Sequence, residues 1–172
     1  SGSMALADRF AAALDILDQL LLELPKDTKF DVYLATEKEV SVFDGGWYSA
    51  GDVRKEIRKK IAAAGGIDYG GFTDLVGVLK VATERRRPDA VYLLSDGVAT
   101  IGELETEKII GAVVKVATQV KVPIHAVGVG LGQDLAEDPE QARLVLRGMA
   151  EATGGVYREV KSETRPRRRA VP

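Results

Sequence analysis

The chain has 172 residues, 45% hydrophobic and 29% charged, enough for one globular domain with its own core. Its 24 basic and 26 acidic residues leave a net charge of -2, so overall charge gives no reason to expect nucleic acid or an acidic membrane surface as partner. With no cysteine and one histidine, thiolate and His-rich metal sites are excluded, and any metal site must be built from oxygen donors, which suits Mg²⁺, Mn²⁺ or Ca²⁺. No apolar run approaches the ~20 residues of a membrane span, and no secretory signal is evident at the amino end. These features lead to the expectation of a cytoplasmic location.

Ala5 to Leu24 is expected to be a helix, because Leu6, Phe10, Ala13, Leu14, Leu17, Leu21 and Leu24 recur at helical spacing. Pro25-Lys26-Asp27 ends it. Lys29 to Thr36 alternates like a strand, and Glu39 to Phe43 is expected to pair with it as a hairpin. Asp44 to Trp47 reads as a turn. Ala50 to Ala64 reads as one basic helix with Val53, Ile57 and Ile61 as its buried stripe and a solvated charged face. A glycine-rich loop over Gly65 to Phe72 precedes a helix from Asp74 to about Arg86.

The stretch Asp89-Ala-Val-Tyr-Leu-Leu-Ser-Asp-Gly97 carries the sharpest signal. Val91 to Leu94 is a short apolar run, expected to be the central strand of a parallel sheet and buried on both faces. Its abrupt stop puts Asp96 at the strand's carboxyl end, the edge at which ligands bind in open α/β sheets. An ordinary Asp-Gly turn accounts for the same residues. A helix over Glu103 to Val120 follows, then a buried strand over Val122 to Val129 that contains His125, read as a packed residue. Asp138-Pro139-Glu140 opens a helix to Ala152 that Gly154-Gly155 ends, and Val156 to Val160 forms a last strand. Residues 161–172 form a basic tail, read as a solvated linker. Helices alternating with apolar strands imply one doubly wound α/β domain over residues 1–160, with helices on both faces of a mostly parallel sheet and one antiparallel edge hairpin strand.

Three segments then match one pattern in order and spacing. Ser1-Gly2-Ser3-Met4 precedes the first helix, Gly70-Gly71-Phe72-Thr73-Asp74-Leu75 opens a middle helix, and Leu93-Leu94-Ser95-Asp96-Gly97 ends a strand. The set resembles the von Willebrand factor A family, whose Rossmann-like fold is shared with integrin inserted domains. Leu146 to Tyr157 also looks like that family's last helix and strand. The resemblance covers nearly the whole chain. It implies a metal-ion-dependent adhesion site, in which Ser1 and Ser3 supply hydroxyl ligands, Thr73 the threonine and Asp96 the aspartate to Mg²⁺ or Mn²⁺. An Asp or Glu side chain of a protein partner would fill the remaining position. Neutral hydroxyls suit a hard cation and leave it enough positive charge to attract that carboxylate. Thr73 is also a good N-cap, and Ser1-Gly2-Ser3 is also readable as a scar before an initiator Met4.

One departure stands out. The family's first strand and the aspartate that opens its Asp-x-Ser-x-Ser motif are missing from this sequence. This leads to the expectation that another chain supplies the strand to a split or truncated domain, or that the domain serves assembly with a defective metal site. No P-loop, Gly-x-Ser-x-Gly elbow or His-based catalytic set is visible, so a binding module is expected rather than an enzyme.

Overall fold

The computed structural model describes residues 9–35, 39–42, 46–53, 56–63, 74–95, 105–131 and 139–161. The first helix, α1 (Arg9–Glu23), presents the expected stripe. Leu21 is 2% exposed, and Phe10, Leu14, Leu17 and Leu24 pack with it. Four short strands follow in this half: β1 (Lys29–Phe30), β2 (Tyr33–Ala35), β3 (Glu39–Ser41) and β4 (Tyr48–Ser49). The single expected strand over Lys29 to Thr36 is thus divided. Asp31 Oδ1 accepts a hydrogen bond from the Val32 amide at 2.8 Å, a local turn bond that competes with a continuous ladder. β2 pairs antiparallel with β3, as the hairpin expectation requires, while β1 pairs antiparallel with β4. The expected basic helix is also divided, into α2 (Ala50–Val53) and α3 (Ile57–Ala63). Of the expected stripe Ile57 and Ile61 are buried, at 1% and 3% exposure, as is Ala50, while the Val53 side chain lies outside what the structure describes.

α4 (Leu75–Arg86) is capped by Asp74, whose carboxylate accepts from the Gly77 amide at 2.8 Å. It ends at Arg87, in the left-handed region with φ 45°. β5 (Val91–Ser95), α5 (Thr106–Val120), β6 (Ile124–Val129), α6 (Pro139–Ala152) and β7 (Tyr157–Val160) complete the fold. β5, β6 and β7 form one parallel three-stranded sheet, with Ser95 beside Gly128 and Gly128 beside Glu159. Parallel neighbours need crossovers, and α5 and α6 supply them. Both crossovers step in the same direction across the sheet, so a constant handedness puts both helices on one face.

Side-chain alternation along the strands divides the core in two. Val91 and Leu93 of β5, Ile124 and Ala126 of β6 and Tyr157 of β7 face α4, α5 and α6, where Leu79, Ile109, Val113, Leu146 and Met149 are buried. Leu94, Val127 and Val129 point the other way and meet Ala12, Ala13 and Ile16 of α1. Burying a side chain such as Leu146 or Met149 contributes roughly 1.5–3 kcal/mol. The chain is therefore mixed α/β, with a parallel sheet covered by helices on both faces and antiparallel pairs beside it.

Two expectations about the sheet need correction. Among the described residues β6, not β5, is the middle strand, with β5 paired to β6 on one side. β5 is also not buried on both faces, since Tyr92 is 48% exposed. α1 packs on Leu94 near the carboxyl end of β5. Nor does the antiparallel hairpin extend this sheet: β2 and β3 form a ladder of their own among the described residues. Helices join the two parts instead. The leucines of α1 pack on Val32, Leu34 and Val42, while α4 touches both β2 and β3.

Candidate functional site

The candidate site follows from where the elements end. β5 stops at Ser95, and the paired end of β6 runs through Gly128 and Val129 to Gly130, at φ 67°. Position 128 has no room for a side chain, because an added Cβ would lie 2.6 Å from Leu131 Cδ1 and 3.1 Å from the Tyr157 hydroxyl. Leu131 thus folds back over the sheet beside Ser95, and it is 4% exposed. The Gly130 amide donates to the Val160 carbonyl at 2.9 Å, which fixes the carboxyl end of β6 against that of β7.

Two helices direct their amino-terminal parts to the same edge. Ala12, Ala13 and Ile16 in the first half of α1 pack on Leu94, Val127 and Val129, all near the carboxyl ends of β5 and β6. α4 connects to β5 through only Arg87 to Ala90, so the chain must reverse between them. Its 12 residues rise about 18 Å at helical pitch and the five of β5 about 16 Å when extended. The matched lengths bring Asp74 and Leu75 level with Ser95, and Leu75 shares a buried cluster with Leu131. The amino-terminal half of α1, Asp74 and Ser95, which adjoin residues 1–8, 64–73 and 96–104, therefore lie toward the carboxyl edge of the sheet.

Ser1, Ser3, Thr73 and Asp96 lie in those three segments and outside the described residues. As donors they form a hydroxyl and carboxylate set, the oxygen chemistry that Mg²⁺ and Mn²⁺ prefer. Among the described residues no group of three or more His, Asp or Glu could hold a metal ion. The N-cap alternative for Thr73 is corrected: capping of α4 falls to Asp74.

A charged network joins α6 to β7, and the sequence did not reveal it. Both Glu159 carboxylate oxygens accept from Arg143, at 3.0 Å from Nε and 2.9 Å from an Nη. Arg143 also pairs with Glu140 one turn earlier, and Tyr157 donates to Glu159 at 3.3 Å. The Arg143 hydrogen bonds hold the Glu159 carboxyl below its ordinary range, against the opposing effect of burial. Burial first, then the charge of Glu159, pushes the Tyr157 phenol up. Glu159 lies in register with Ser95 but two strands away, about 10 Å at normal strand spacing. With its oxygens committed to Arg143, it acts as a tie between α6 and β7. The Glu140–Arg143 spacing was legible in sequence; the approach of Glu159 was not.

His125 has the packed role expected of it. Its ring stacks on Tyr92, with centroids 4.8 Å apart, and its Nδ1 accepts from the Val156 amide at 3.2 Å. No helix among the described residues is long and apolar enough to cross a membrane. A scan against protein-family models finds no match for this chain, and a search of curated proteins finds none either.

Proposed function

We propose that this chain is a protein-interaction module of the von Willebrand factor A kind, doubly wound in the Rossmann-like manner, which captures an Asp or Glu side chain of a partner through Mg²⁺ or Mn²⁺. Ser1, Ser3 and Thr73 would give hydroxyl ligands, and Asp96 a carboxylate bound directly or through water. The reading is supported above all by one observation: the amino-terminal half of α1, Asp74 and Ser95, the described parts next to the segments that carry these residues, lie toward one edge, the carboxyl end of β5 and β6. That edge is where open α/β sheets bind ligands. Calorimetric titration of Mn²⁺ and Mg²⁺, with Asp96→Ala as control, tests the proposal. Saturable binding abolished by the substitution is expected; no binding, or binding unchanged in the variant, would overturn it.

A second reading, assembly through a strand supplied by another chain, has its own observation. Neither β2 nor β5 is paired to the other among the described residues, yet α1 on one face and α4 on the other join their two parts. An extended segment entering between such edges would gain backbone hydrogen bonds and apolar cover on both faces. Native mass measurement of the complex should then find a co-purifying polypeptide, whereas a lone, stable monomer counts against this reading.

A further inference from the structure

We draw no further inference here: the strongest candidate, the patch of Tyr92, His125 and Val156 at the amino end of the parallel sheet on the face that α1 only half covers, carries nothing because nothing among the described residues shows what covers it.

Discussion

The two halves of the molecule are held together differently. In the half from Leu75 onward, strands of four to six residues form one parallel sheet over a single large apolar cluster. In the half before it, ladders of two and three residues share a smaller cluster that α1 and α3 help to build. A two-residue ladder has few hydrogen bonds to hold it, so its persistence depends on side-chain packing from the helix above. The comparison teaches that β5 to β7 form the platform, and that α1 and α4 hold the rest to it. The proposed cation site would adjoin the edge where platform and helices meet, and its geometry would depend on both.

The largest effects should come from the two clusters. Leu146→Ala, at a fully buried position in the platform, is expected to cost about 3–4 kcal/mol. It should weaken hydrogen-exchange protection throughout β5, β6 and β7. Leu21→Ala, at the centre of the smaller cluster, is expected to cost about 2–3 kcal/mol. Its exchange should quicken first in β1 to β4, with β6 amides still protected. Urea unfolding gives the magnitudes and native-state exchange gives the pattern; equal loss of protection in both halves for both variants would break the distinction.

A smaller effect probes the link between halves. Asp74→Ala removes the hydrogen bond to the Gly77 amide and should cost about 1 kcal/mol, read as faster exchange in the first turn of α4. Cation binding should persist in this variant, since Asp74 serves as a cap. Loss of binding with an intact fold would instead assign Asp74 to the site.

The smallest effect depends on pH and belongs to the platform alone. The Glu159 carboxyl is held below its ordinary range by Arg143, so its folded value lies below its unfolded one. The pairing therefore stabilises the fold above the ordinary carboxylate value of about 4.3, and that contribution disappears as pH falls through the lower folded value. Glu159→Gln should flatten the acid limb of the stability profile below about pH 4 and leave its shape near neutral pH unchanged. An acid limb identical to the parent's would show that the Arg143 tie contributes nothing.

Much of this organisation was legible because periodicity reports burial. The stripe of α1, the strands over 91–95 and 124–129 and the Pro139 helix start were all readable from spacing and breakers. The misreadings share a cause: each depended on partners remote in sequence. Whether β5 is a middle or an edge strand is decided by what pairs with it, and no feature of Val91 to Leu94 records that. Asp31 looked like the polar position of a strand, but its side chain bonds the next amide and interrupts the ladder. Of the proposed ligands, Asp96 was singled out by the abrupt end of an apolar run, whereas Ser1, Ser3 and Thr73 entered only through the resemblance. The Arg143–Glu159 pair joins residues 16 apart on different elements, so no local pattern announces it.

The most direct test of a cation at the carboxyl edge is paramagnetic line broadening of backbone amides by substoichiometric Mn²⁺. Amides of Ser95, Gly130 and the first turn of α4 should broaden strongly, while those of Val91, Lys121 and Val156 at the opposite end stay sharp. Asp96→Ala should restore the broadened signals. Broadening centred on Val91, Lys121 and Val156, or none that the substitution removes, would contradict a cation site at this edge.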